Sequence, residues 1–317
     1  MYDNRRVRES TMTPSVHWPE IHYGSWSATC DTLHAHSQVL GKLAMALASP
    51  EPQLQHGALR LTARGWETPL LPAPDRSGGV VVALDLRAHA VQVEHAAGRE
   101  RRIPLTPNRA VADVTQDVLG AIADLAGRVV ISMTPQETPW TTPLDEDREH
   151  ATYDPSHVAR YLDAAMRAAL VLGEFRAPYR GRATPVNAWW GSFDLAVSLF
   201  SGRSVEPPSQ GFIHRNSGDA EEIAVGWWPG DSRYPRSAFF AYAYPAPVGL
   251  EDTPVSPGGW EPSLGEFILN WEDARATADP HQSALDFFRS FATPACDACE
   301  WDTTLRTSLQ GVPPPIT

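Results

Sequence analysis

His34, Gln38 and Lys42 recur at four-residue intervals, and a carboxylate, Asp194, stands among small polar residues in Trp190-Gly-Ser-Phe-Asp-Leu-Ala-Val-Ser. On a helix, residues spaced in this way share one face. An imidazole followed by an amide and an ammonium could move a proton and hold a polar substrate beside it. In a strand, alternate residues point to opposite faces. From Trp189 onward one face reads Trp189, Phe193, Leu195, Val197 and Leu199, which is a core face; the other reads Trp190, Ser192, Asp194, Ala196, Ser198 and Phe200. The second face has the composition of a cavity floor with one carboxylate at its centre, and equally that of a solvated sheet face.

Two more carboxylates follow in Glu221 and Glu222. Alternation places Glu222, Ala224, Gly226 and Trp228 on one side of their strand, and Glu221, Ile223, Val225 and Trp227 on the other. A third strand alternates Phe239, Ala241 and Ala243 against Phe240, Tyr242 and Tyr244. Faces of small residues between large aromatics either let a helix approach closely or leave room for a ligand. The alanine-rich helix expected near residues 159–169 is a candidate to fill that room. The candidate catalytic residues are therefore His34, Asp194, Glu221 and Glu222. Gln38, Lys42, Trp189, Trp190, Ser192, Arg203, Trp227 and Trp228 are the candidate substrate contacts.

Helical spacing runs from about Ala28 to Ala48 and stops before Pro50 and Pro52. Strands are expected at 59–64, 80–86, 91–95 and 101–105, then a helix capped by Asn108 and a buried strand at 129–133. Residues 134–155, rich in Pro, Thr and acidic side chains, connect to a helix from Ser156 to about Phe175. The candidate strands at 189–200, 221–228 and 238–244 follow, then a strand at 266–270 and a helix at 280–292. This is an α+β fold of antiparallel sheets packed by helices. The order of helix, strands and helix occurs twice, which suggests two similar halves around a shared cavity. The expected divisions are a flexible tail at 1–15, halves at 16–134 and 156–305 joined by a linker at 135–155, and a disordered tail at 306–317.

The net charge of -12 disfavours nucleic acid and anionic membrane surfaces as partners. No apolar run approaches the roughly 20 residues of a membrane span, and no signal-type segment opens the chain, so a cytoplasmic location is expected. Cys296 and Cys299 form a C-x-x-C, but no second pair completes a zinc site. Asp145-Glu146-Asp147 reads as a solvated turn rather than a metal site. Neither a dinucleotide fingerprint, a P-loop nor a G-x-S-x-G elbow is present. No cofactor and no metal are expected.

Several stretches resemble the bacterial family catalogued as domain of unknown function 5996: Trp18-Pro-Glu-Ile, Thr32-Leu-His with Gln38-Val-Leu-Gly-Lys, Trp190-Gly-Ser-Phe-Asp-Leu-Ala-Val with Phe200-Ser-Gly-Arg, and Gly226-Trp-Trp-Pro-Gly. They occur in the family's order over most of the chain. The resemblance implies no activity. Two family histidines are absent: Asp219-Ala-Glu stands where the pattern has Ser-His-Glu, and Asn187 stands where it has His. Gln55-His-Gly-Ala matches a further region only in part. These departures imply adaptation to a different substrate, for example in a specialised biosynthetic pathway.

The expected function is cofactor-free acid–base chemistry on a small molecule, of cyclase, isomerase or lyase type, in a tryptophan-rich pocket. Indole faces stabilise cations, which suits a positively charged transition state. Two alternatives remain open. One is a protein that binds a small molecule or sugar without chemistry; the other is a metal-dependent hydrolase using His34, His56 or His214.

Overall fold

The computed structural model describes residues 17–208 and 211–311. The expected tail at 1–15, and residues 312–317 of the expected C-terminal tail, lie outside that range. Helix α1 (Tyr23–Leu47) starts earlier than its leucine stripe indicates, because Trp26 and Cys30 extend the buried row that continues through Leu33, Leu40 and Ala44. Strands β1 (Arg60–Thr62), β2 (Gly65–Glu67), β3 (Leu71–Pro72), β4 (Gly79–Asp85), β5 (Ala90–His95) and β6 (Glu100–Pro104) form the first antiparallel sheet. Helix α2 (Val111–Ala126) packs on β5 and β6.

Two expectations fail in this region. The cap of α2 is Ala110, and Asn108 lies in the preceding turn with φ 65. No strand forms at 129–133: Val130 is 90% exposed, so the apolar run has no sheet edge to join.

Helix α3 (Pro155–Arg176) begins where the Asp154 side chain accepts hydrogen bonds from the Ser156 and His157 amides, with proline in the first turn. The second antiparallel sheet contains β7 (Asn187–Trp189), β8 (Asp194–Ser204), β9 (Ala220–Trp228), β10 (Ala238–Tyr244), β11 (Gly259–Glu261) and β12 (Glu266–Asn270), in the order β11-β12-β10-β9-β8-β7. Helices α4 (Phe212–Ser217), α5 (Trp271–Arg275), α6 (Pro280–Ala298) and α7 (Thr303–Ser308) complete the described chain. Helix α7 occupies the first residues of the segment expected to be a tail. No helix among the described residues is long and apolar enough to cross a membrane.

Sequence parity holds through β9, β10 and β12. Ile223, Val225, Trp227, Phe239 and Ala241 are fully buried on the face that α3 and α6 cover. The alanines of α3 allow that close approach, so the helix fills one side of the sheet and leaves the other open. Parity fails at the start of β8. Residues 190–193 are a turn, with Phe193 at φ 58, and Trp189 pairs with Asp194 across a hairpin. Directly paired residues share a face, so Trp189 stands with Asp194 and not with Leu195.

The stretch Trp18-Pro-Glu-Ile acts as a clasp. Trp18 stacks on Trp271 at 4.4 Å, the Trp271 indole donates to the Pro19 carbonyl at 2.8 Å, and the Ile21 amide donates to Glu272 at 3.1 Å. At the opposite edge the two sheets meet. The Leu59 amide donates to the Ala188 carbonyl at 3.0 Å and the Ala188 amide to the Leu59 carbonyl at 2.9 Å.

Candidate functional site

The open face of the second sheet floors a cavity of about 880 Å³. Its floor carries Asp194 and Ser198 from β8, Glu222 and Trp228 from β9, Phe240 and Tyr242 from β10, and Glu266 from β12. The N-terminal half of α1 contributes Tyr23, Asp31 and His34 to the walls, and the connection after α2 contributes Glu137 and Trp140. Both halves of the chain thus line the cavity, but no strand of the first sheet reaches it.

Small side chains on the floor are what leave the space. Gly226 is required outright, since a Cβ there would lie 2.2 Å from the Phe240 ring and 2.5 Å from the Leu195 carbonyl oxygen. Gly226→Ala is expected to cost about 1–3 kcal/mol, read from the urea midpoint, and to push Phe240 into the cavity.

The carboxyl groups share one electrostatic condition. Burial pushes Asp194 up to about 7, against a hydrogen bond donated by the Ser192 hydroxyl. Burial likewise pushes Glu222 up to about 7, opposed by Ser198 and Arg182, and Glu266 up to about 7, opposed by Arg233. Glu137 is also raised by burial, although His214 lies 3.6 Å away. Three carboxyls poised near neutrality around one cavity can each give or take a proton at physiological pH.

His34 has a different character. Its Nε2 lies 2.8 Å from the Gly191 carbonyl oxygen and 3.1 Å from that of Trp190, so Nε2 carries the proton and Nδ1 keeps the lone pair. Burial lowers its pKa to about 4, against those two hydrogen bonds. The ring is stacked on Phe193 at 5.1 Å with Trp140 against its edge. At neutral pH His34 is therefore an uncharged ring locked in one tautomer, able to accept through Nδ1.

Of the residues selected from sequence, the structure gathers His34, Asp194, Glu222, Trp189, Trp190, Ser192 and Trp228 around the cavity. It places the other five elsewhere. Gln38 is fully buried, and its amide donates to the Gln136 and Trp190 carbonyls while accepting from the Gln136 amide. Lys42 donates to the Thr134 carbonyl at 2.7 Å and lies 5.2 Å from the centre of the Trp190 ring. Both pin the hairpin and the following connection to α1. Glu221 points away from the cavity and binds Arg203 through two bonds of 2.7 and 2.8 Å, and Arg203 also reaches the Cys299 and Glu300 carbonyls. Trp227 is fully buried against Tyr161 and Trp271.

The histidines do not assemble. His56 is buried with Nδ1 accepting from the Glu51 amide, and His214 stands near Glu137. Asn187, where the resembled pattern has histidine, accepts from Arg60 and donates to Gln55 at 2.8 Å. Asp147 does not behave as part of a solvated turn: it is buried and 2.7 Å from the His150 ring. Among the described residues no group of three or more His, Cys, Asp or Glu could hold a metal ion.

Sequence reasoning missed Glu137, Glu266, Arg233 and Tyr242. Glu266 and Tyr242 come together because β10 pairs with β12, Ala241 opposite Phe267, a pairing of strands distant in sequence that alternation alone does not give. Glu137 and Arg233 lie in connections, where no period exists to orient them.

The sequence profile of a family of unknown function, DUF5996, matches residues 18–308. No curated protein and no solved structure matches the chain.

Proposed function

The chain belongs to the DUF5996 family of unknown function, and within it we propose a cofactor-free enzyme that performs proton transfer on a small molecule. The observation that carries this reading is the set of Asp194, Glu222 and Glu266, three carboxyls raised to about 7 on the floor of one cavity. Structural carboxylates that only hold a fold are normally paired and ionised. These have no ion-pair partner within salt-bridge distance among the described residues. A carboxyl that is half protonated at neutral pH is matched to general acid or base work.

The roles move relative to the sequence expectation. Asp194 and Glu222 carry the exchangeable protons. His34, uncharged and held by two carbonyls, orients a substrate through Nδ1. Trp189, Trp228, Phe240 and Tyr242 supply flat faces that can support a developing positive charge, which fits cyclisation, isomerisation or elimination.

The test is untargeted. Purified protein is incubated with a metabolite extract, and both altered and retained masses are followed. A mass change or isomer that disappears with Asp194→Asn or Glu222→Gln supports the enzyme. A retained but unaltered compound, whose affinity merely weakens in those variants, replaces it with a non-catalytic binding protein.

A further inference from the structure

The pairing register maps the cavity floor. Leu195 pairs with Trp227 and Phe200 with Glu222, so Asp194 and Glu222 stand six positions apart along the strands. At about 3.3 Å per residue that is roughly 20 Å between their backbones, less whatever the side chains lean inward. Between them the floor is small and aromatic. Ala224 pairs with Tyr242 and Gly226 with Phe240, and these two rings lie parallel at 6.3 Å. The Trp228 ring meets Phe240 edge-on at 5.6 Å. Glu266 flanks this strip from β12.

Cationic groups oppose the rise of these acids only through space: Arg182, 3.8 Å from the centre of the Phe200 ring, acts on Glu222 and Arg233 on Glu266, and neither is in ion-pair contact with them. Arg233 is held by Asp231 through contacts of 2.7 and 3.0 Å, and His214 faces Glu137. That leaves Asp194, Glu222 and Glu266 without an ion pair among the described residues. An anion entering here would meet three carboxyls. A sugar would lose its water over alanine, glycine and ring faces that return few hydrogen bonds. A cation would gain twice, from the carboxylates and from the ring faces.

The geometry points to an elongated organic cation with two separated basic nitrogens as the ligand of this cavity, with one nitrogen at the Asp194 end, the other at the Glu222 end, and the chain between them over Phe240 and Tyr242. This rests on the reading of the cavity as the working site and gives it a substrate class. The aromatic strip is independent of the acids and points to the same ligand. The raised carboxyls agree with it as well, since an arriving ammonium would draw them into the ionised form and release protons.

Calorimetric titration with four probes of equal chain length tests the assignment: octamethylenediamine, octylamine, octanediol and suberate. The diamine should bind at least about tenfold more tightly than octylamine, octylamine more tightly than the diol, and suberate not at all. Asp194→Asn and Glu222→Gln should each bring the diamine down to about the affinity of octylamine. Arg233→Ala, which frees the Asp231 carboxylate, should tighten the diamine about fivefold, a gain that a misfolded protein could not mimic.

Suberate or octanediol binding as well as the diamine would overturn the assignment. So would no binding by any probe at about 10 mM, a diamine indifferent to both carboxyl variants, or no gain in Arg233→Ala. The two readings separate cleanly. A substrate without a basic nitrogen found in the metabolite test removes the dication and leaves the acid–base enzyme. Diamine binding in the expected order, with no amine ever altered, removes the enzyme and leaves the dication site.

Discussion

Asp194→Asn is expected to lower turnover by about a hundredfold to ten-thousandfold while making the free protein more stable above pH 7. The first effect follows from removing a group that gives or takes a proton. The second follows from its titration. An unfolded aspartate ionises near 4, whereas burial holds Asp194 protonated up to about 7. Its contribution to stability is complete below the unfolded value, declines as the pH rises through the interval, and is gone above about 7. Asparagine keeps the shape without the charge, so the variant escapes that loss.

The groups around Asp194 act on this titration in known directions. Ser192 favours the ionised form, and Glu137 and Glu266 oppose it. Thermal unfolding at pH 5 and pH 8 checks the stability arm: the gain of the variant over the wild type should be clearly larger at the higher value. For activity, the wild-type kcat/KM should form a narrow bell near neutrality, because one carboxyl must be ionised while another is protonated. Asp194→Asn should flatten one limb and Glu222→Gln the other. A destabilised asparagine variant, or an unchanged bell, would show that Asp194 holds the fold and takes no part in the chemistry.

Trp271→Ala is expected to have the largest effect on stability, about 3–5 kcal/mol. The side chain is fully buried, stacks on Trp18 at 4.4 Å, and packs against Trp227 at 5.6 Å and Phe239 at 5.7 Å. Its indole also holds the Pro19 carbonyl, so truncation opens a cavity and releases the clasp together. Urea unfolding should show a lower midpoint. Activity per folded molecule should persist, because Trp271 lies under the sheet and away from the cavity. A loss below about 1 kcal/mol would mean that the clasp rearranges at little cost.

Strand parity made much of this site legible. Parity placed Glu222 and Trp228 on one face, and both line the cavity; on β10 it separated the two faces correctly, but the small-residue face Phe239, Ala241 and Ala243 packs under the helices and Phe240 and Tyr242 face the cavity. The choice between a cavity and a helix above it could not be made from parity, since both want small residues; the α3 alanines serve the opposite face. Trp189 was misplaced because a turn resets the alternation, and Phe193 hides that turn. A phenylalanine at φ 58 is no turn signal by composition; its burial between His34 and Tyr161 offsets the strain. The row of His34, Gln38 and Lys42 does share a face, as helical spacing requires, but spacing says nothing of what lies opposite. There, backbone carbonyls take up Gln38 and Lys42 and leave only the histidine facing the cavity. Glu221 and Arg203 were legible as charges and illegible as partners, because their meeting depends on the bend late in β8.

The exchange of hydrogen bonds between Leu59 and Ala188 bears on how the chain must be inherited. The bridge joins the two sheets at one residue pair, so a solitary half would leave the amide and carbonyl of that residue without these partners. A gene encoding either half alone would lose that exchange. Whatever the ancestry of the two halves, selection has reason to keep them on one polypeptide.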